Sequence, residues 1–458
     1  MCAFDFFLKK RINFLLSYHI NNMKKDEGRY ELDMYDYSII GGGISGLYLA
    51  YRLLKRDSKN SKSRVIVLEK EDRFGGRVMT GFIKGNKGSL IPVSAGAGRF
   101  LKDHLRFMGL IREFGLTRSI VELQGDVVYH HCQKNGPVMI SSGERLEILI
   151  DRVVRGSRNL SKRELIGLSF VSLALRFLSE SEVQYIVDSF GYYSELVIMN
   201  SYSCLQLMEE LSGRFYALRG GYMPIIDELV SRIRALGGIV LNRAYVRSVE
   251  VSTDGYSIEY TCGNKSCMVY SGKCIFAVPT GSLMKFPILR PIWSVVKSSI
   301  ICAPLCRIFA TYRVGGNGSV WFKGMSRITV NNRIRMIIPI SEADGVIMIS
   351  YSDHHFADFW KSVYHREGKR GLKKEIRDGV SEVMGYQIPD CMAIEIYYWD
   401  CGVGYWTVGT DSLKVSRSLV QPIANSGLYI CNENIAVSGQ QWIEGSLEMA
   451  EKVLDKIK

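Results

Sequence analysis

Two periodicities trade places along the chain, and their order predicts the architecture. Tyr37 to Ile40 is a short apolar run of strand length. Leu47, Leu49, Ala50, Leu53 and Leu54 then recur at helical spacing, and Val65 to Leu68 returns to a β-branched run. Strand, helix, strand is the order of a parallel βαβ unit, so the fold class is α/β. Downstream, Leu101, Leu105, Met108, Ile111 and Phe114 predict one helix, and Leu146, Leu149, Ile150, Val153 and Val154 a second. Residues 164 to 178 and 182 to 190 read as further helices, and the apolar stretch Leu165 to Leu178 reads as a buried one. An amphipathic helix over Ile225 to Leu236 ends at Gly237-Gly238, a C-cap signal. Short strands follow at Ile239 to Leu241, Val246 to Val251 and Ser257 to Tyr260. Arg327 to Ile340 and Val346 to Tyr351 alternate as strands do, with Asn331-Asn332 at a hairpin turn. Phe356 to Met384 is charged and helical, read as a solvated outer face. Met449, Ala450, Val453, Leu454 and Ile457 give the last helical stripe.

Chemistry enters at the first strand–helix junction. Gly41, Gly43 and Gly46 have the spacing G-x-G-x-x-G and enclose Ile44 and Ser45. Such a triplet alone is a common turn. Here a strand precedes it, a helix follows, and Glu69 closes the second strand about 20 residues on, which together predict a dinucleotide site. Gly41 makes the turn, Gly43 lets backbone approach a pyrophosphate, and Gly46 lets the helix pack on the strand. The helix N-terminus offers free N–H groups to phosphate, and Glu69 offers acceptors to ribose hydroxyls. The next residues, Lys70 to Arg77, read KEDRFGGR. Two arginines beside paired glycines suit a phosphate cradle.

Composition narrows this only a little. At 458 residues the chain has room for two or three domains. A net charge of +13 would suit nucleic acid or anionic membrane, but Lys and Arg are dispersed, so the reading is a solvated basic surface with no specific nucleic-acid partner. Eleven cysteines without metal-ligand spacing read as reduced thiols in a cytoplasmic, reducing compartment. Cys302 and Cys306 are among those read as small core residues. In the first 33 residues, apolar runs are interrupted by Lys9-Lys10-Arg11. These runs are too short to span a bilayer, which leaves a loosely packed extension or a membrane-surface helix.

The KEDRFGGR extension resembles that of the flavin amine oxidase superfamily, which includes monoamine and polyamine oxidases and related desaturases. The resemblance implies FAD, with Arg73, Gly75, Gly76 and Arg77 around its pyrophosphate and ribityl chain. It extends to Gly96, Ala97 and Arg99 against the flavin, and to Val246, whose backbone would meet adenine. It ends in GLYICNE and SGQQWIEGSL, where Glu433 of the first and Trp442 and Ile443 of the second sit beside the flavin, the second at a helix N-terminus. The family's glycine before Glu433 is Asn432 here, a residue able to adopt the left-handed conformation. Trp406 and Trp442 match two aromatics that flank the substrate nitrogen. Tyr405 stands where some members carry a flavin-linked cysteine, so noncovalent FAD is expected. In place of the family lysine that holds a water at the flavin, LCRIFATY puts Arg307.

The implied architecture is a discontinuous Rossmann-like FAD-binding domain in residues 34–100, 214–286 and 409–458. A mixed α+β substrate domain takes residues 101–213, which are mostly helical, and 287–408; residues 1–33 are an extension. The implied activity is oxidation of a small-molecule amine with oxygen, giving hydrogen peroxide, with Arg307, Trp406 and Trp442 at the catalytic centre. Two alternatives stand beside it: a desaturase-type flavoenzyme on an apolar substrate, and a noncatalytic FAD-binding protein.

Overall fold

The predicted opening unit begins three residues earlier than its apolar run. Strand β1 (Met34–Ile40) leads through the glycine turn into helix α1 (Ile44–Asp57) and on to β2 (Val65–Leu68). β1 and β2 pair in parallel, Ile39 opposite Val67. Leu47, Leu49 and Leu53 of α1 are fully buried on this pair, each worth about 1.5–3 kcal/mol relative to exposure. The computed structural model describes residues 34–57, 63–123, 127–132, 138–211 and 213–457, and the N-terminal extension lies outside them.

Distant parts of the chain complete the first sheet. β3 (Ile239–Leu241) pairs in parallel with β2, and β4 (Ala244–Ser252), β5 (Gly255–Cys262) and β6 (Lys265–Phe276) form an antiparallel meander. The sheet order is β3-β2-β1-β6-β5-β4, with Leu428–Ile430 added in parallel on β6. Helix α1, the helix Met223–Ala235 and the last helix, α2 (Ile443–Lys456), contribute to the core of this sheet.

A second sheet stands on long antiparallel strands. β7 (Ile300–Thr311) lies between β8 (Val346–Asp353) and β9 (Ala393–Trp406). The hairpin predicted around Asn331-Asn332 forms beyond β8, from Arg327–Val330 and Met336–Ser341. The helix His354–Met384 kinks at Gly368 (φ 59). It is less solvated than its charge implied: Trp360, Val363, Leu372, Ile376 and Val380 fill the core it shares with this sheet. The stretch Leu165 to Leu178 is also corrected. It forms two short helices, Lys162–Ile166 and Phe170–Ala174, with Ser169 capping the second, while Leu175 is 48% exposed. Serine caps interrupt what periodicity alone reads as continuous. Among the described residues no helix is long and apolar enough to cross a membrane.

Candidate cofactor and substrate site

A cavity of ≈ 1050 Å³ runs from the glycine turn to β9 and the start of α2. That is at the top of the roughly 300–1,000 Å³ range of small-ligand pockets and suits a dinucleotide with a substrate beside it. Its walls include Gly41, Gly43, Ile44, Ser45, Glu69, Lys70, Arg73, Gly75, Gly76, Arg77, Gly96, Ala97, Arg99, Val246, Arg307, Glu433, Trp442 and Ile443. Gly46 sits behind the wall, where a Cβ would collide with the Gly41 carbonyl.

At the first end, Gly41 turns at φ 108, a conformation that disfavours any side chain. Gly43 faces open space; an added Cβ would meet only Gly76 Cα, at 4.0 Å. The two glycine loops therefore meet without side chains, leaving bare backbone that a phosphate could approach. Glu69 accepts from Gly42 N at 2.7 Å and from Glu71 N at 2.9 Å. Burial raises its pKa, and the two N–H bonds act against the rise. Glu69 thus holds the turn, and the carboxylate keeps lone pairs for ribose hydroxyls. Lys70 is exposed and pairs with Glu71.

The two arginines of KEDRFGGR differ in use. Arg73 donates to Gly76 O (2.8 Å) and lies 5.8 Å from the Trp399 ring centroid. Arg77 crosses to the far end of the chain, donating to Gly402 O (3.0 Å) and pairing with both carboxylate oxygens of Glu433. Asn432 corrects the left-handed expectation. Its backbone is extended (φ −153, ψ 159), and its side chain donates to Val278 O at 2.8 Å and accepts from Asn434 N at 3.0 Å.

Helix α2 begins at the cavity wall, where the N–H groups of its first turn lack intrahelical partners. Its Glu444 turns away, accepting from Phe107 N (2.9 Å) and Arg106 N (3.1 Å) at the start of the helix Leu105–Glu113. Gly445 lies against Gly439, whose carbonyl excludes a Cβ there.

Strand parity corrects one aromatic assignment. Successive residues of β9 face opposite ways. Tyr405 lines the cavity, while Trp406 is fully buried in the core with its indole N–H on Ala436 O (2.9 Å). Trp442 keeps its wall position, edge-on to His104 and stacked on Phe215. Arg307 is engaged: it donates to Ser94 O (2.7 Å), Gly96 O and the Tyr351 hydroxyl (3.2 Å), pinning the 94–96 loop.

Several wall residues carried no sequence signal. Tyr192 and Glu195 belong to the segment of the short helix Tyr193–Val197, whose N-terminal N–H groups bond to Asp353 (Ser194 N, 2.7 Å). Burial, aided by Asp353, pushes the Glu195 carboxyl up to about 8. Arg99 stands with its guanidinium 4.2 Å from the Phe215 ring centroid, 5.5 Å from Trp442 and 5.7 Å from Tyr192. No carboxylate among the described residues forms an ion pair with it. A disulfide, Cys302–Cys401, also lines the cavity and overturns the reading of Cys302 as a reduced core residue. The pairing of β7 with β9 brings the two together.

A βαβ sheet with a bare-backbone turn, a buried acid after β2 and a helix N-terminus on the cavity wall defines a dinucleotide-binding protein. The family described as flavin containing amine oxidoreductase matches residues 44–450, and the chain belongs to it; its cofactor is FAD. It is 24% identical over 481 residues to the flavin-dependent L-tryptophan oxidase RebO of Lentzea aerocolonigenes, covering 90% of this chain and 96% of that one. A shorter likeness, 36% over 81 residues, is to coproporphyrinogen III oxidase of Mycobacterium bovis, 18% of this chain and 16% of that one. Wild-type putrescine oxidase bound to putrescine has a similar fold, with TM-score 0.72, 15% identity, and 93% of this chain and 99% of that one covered.

Proposed function

We propose that this chain oxidises an amine that also carries an anionic group, an amino-acid-like substrate. Hydride leaves the carbon beside the nitrogen, the imine hydrolyses, and oxygen is the final acceptor, giving hydrogen peroxide. FAD supplies the hydride acceptor. Glu69 would hold its ribose, the backbone of Gly43, Gly75 and Gly76 its pyrophosphate, and Val246 its adenine.

The observation that carries the substrate class is Arg99. It lies among three aromatic faces in the cavity, and no carboxylate among the described residues pairs with it. The acid nearest in effect, Glu195, is mostly protonated at neutral pH because burial lifts it to about 8. Arg307 binds only neutral carbonyls and a hydroxyl, so this end of the cavity is cationic. A diamine such as putrescine, the ligand of one structural neighbour, would be repelled; a carboxylate like that of tryptophan, the substrate of the curated relative, would be attracted. Arg99 orients the anion, Trp442 offers a face to the substrate, and the α2 N-terminus stabilises negative charge arising at the flavin end.

The test is anaerobic mixing of the FAD-loaded protein with L-amino acids and, separately, with aliphatic diamines, following flavin absorbance. Bleaching by amino acids is expected. Arg99→Met should raise the concentration needed by about 10–100-fold, as for a lost charged hydrogen bond of about 1.5–3 kcal/mol, with FAD still bound. Bleaching by diamines alone overturns the substrate class, and bleaching by no amine overturns amine oxidation.

A further inference from the structure

We propose that the Cys302–Cys401 disulfide is a second redox centre, exchanging electrons with the flavin held in the same cavity.

Its position is the first ground. Both cysteines line the cavity and both are partly exposed. Cys401 sits in an irregularity of the β7–β9 ladder. Between the pairs Ala303–Val403 and Leu305–Trp399, β7 has only Pro304 while β9 has Asp400, Cys401 and Gly402. Pro304 has no N–H to offer a ladder, so the strands part there and Cys401 swings across to Cys302.

The second ground is what the disulfide touches. The residue after Cys401 is Gly402, whose carbonyl accepts from Arg77, and Arg77 in turn pairs with Glu433. On the other side Thr280 Oγ1 lies 3.4 Å from Cys302 Sγ, and Thr280 N donates to Asn434 Oδ1 at 3.1 Å. The disulfide is therefore fastened on both sides to Glu433-Asn434, on the wall of the same cavity. The Thr280 hydroxyl lies within reach of both Cys302 Sγ and Asn434 Oδ1, each at 3.4 Å.

A third ground is its isolation. The eight free cysteines among the described residues, five of them buried, form no disulfide framework. β7 and β9 are already held together by a ladder running from Ile300–Trp406 to Thr311–Ala393. A cross-link is not needed to join them, and it lines the cavity that FAD would fill.

The step balances. The S–S bond takes up two electrons and two protons and opens to two thiols, as the two-electron-reduced flavin returns to its oxidised form. In reverse, the dithiol closes to the disulfide and reduces the flavin. The protein would then store four electrons per FAD, two on the sulfurs.

The inference rests on FAD binding and not on the identity of the amine, so the experiment uses dithionite. The FAD-loaded protein is titrated anaerobically while flavin absorbance is followed. Samples are alkylated, and labelled cysteines are located by mass spectrometry. Four electrons per FAD are expected, with label entering Cys302 and Cys401 only as reduction proceeds. Cys302→Ser/Cys401→Ser should take two electrons and retain FAD. The flavin-free protein is the control for direct reduction, and its disulfide should stay unlabelled over the same time. Two electrons per FAD with the disulfide intact in the wild type would overturn the proposal. So would both cysteines already labelled in the aerobic protein, or a flavin-free disulfide reduced as fast as the loaded one. Since the titration and the control need no substitution, they decide the matter even if the double variant fails to fold.

Discussion

Arg77 and Glu433, 356 residues apart, meet as a two-oxygen ion pair in which the Glu433 side chain is 4% exposed and the Arg77 side chain 26%. The pair ties the glycine loop after β2 to the segment after Leu428–Ile430, so cofactor-binding pieces from opposite ends of the chain are held in one arrangement. Asn434 Nδ2 also donates to Glu433, at 2.6 Å.

Removing one partner should therefore cost more than removing both. Arg77→Met leaves a buried carboxylate uncompensated, and a loss of about 3–5 kcal/mol is expected in urea unfolding. Arg77→Met with Glu433→Gln should recover most of it. A double variant no more stable than the single one would show that the pair acts through its attachment to Gly402 instead.

The cofactor end of this site was legible from the sequence because its signals are local. Gly41, Gly43 and Gly46 are read from spacing, and the structure gives each a distinct steric reason. The substrate end depended on facts that spacing does not carry. Which of Tyr405 and Trp406 reaches the cavity is a question of parity on β9, decided by the irregular pairing beside Pro304. Tyr192 and Glu195 come from a short helical segment with no repeat long enough to show a face. Cys302 and Cys401 are 99 residues apart and meet only through strand pairing. Asn432 replaces a glycine without strain because its backbone is extended, which no residue preference foretells.

Glu195 should make the fold less stable as pH rises. Its carboxyl keeps its proton up to about 8 when folded, against an ordinary 4.5. Between those values the unfolded chain releases a proton that the folded chain retains, so stability falls through this window and levels off above it. The full effect is of order 3–5 kcal/mol. Glu195→Gln should flatten this part of the profile and be the more stable protein at pH 8. A variant profile parallel to the wild type from pH 5 to 8 would remove Glu195 as the cause.

His104 should act in the opposite direction. It is buried beneath the cavity wall, edge-on to Trp442 at 4.9 Å, and its Nδ1 faces the Leu101 N–H at 3.4 Å, so that nitrogen is an acceptor and the ring is neutral. Burial lowers its pKa from 6.5 to about 4, against a smaller upward pull from Asp103. As pH falls below 6.5 the unfolded chain takes up a proton that the folded chain refuses until about 4. Stability from this group is therefore complete above 6.5 and is lost down to about 4, by roughly 3 kcal/mol. Urea unfolding at closely spaced pH values should show that loss, and His104→Gln should abolish it while lowering stability at pH 7 only modestly. Because His104 packs on Trp442, the same acid range should also move the indole, so tryptophan fluorescence of the folded protein should shift near pH 4 in the wild type and not in the variant. An unchanged fluorescence profile with the stability slope intact would place the titrating group elsewhere.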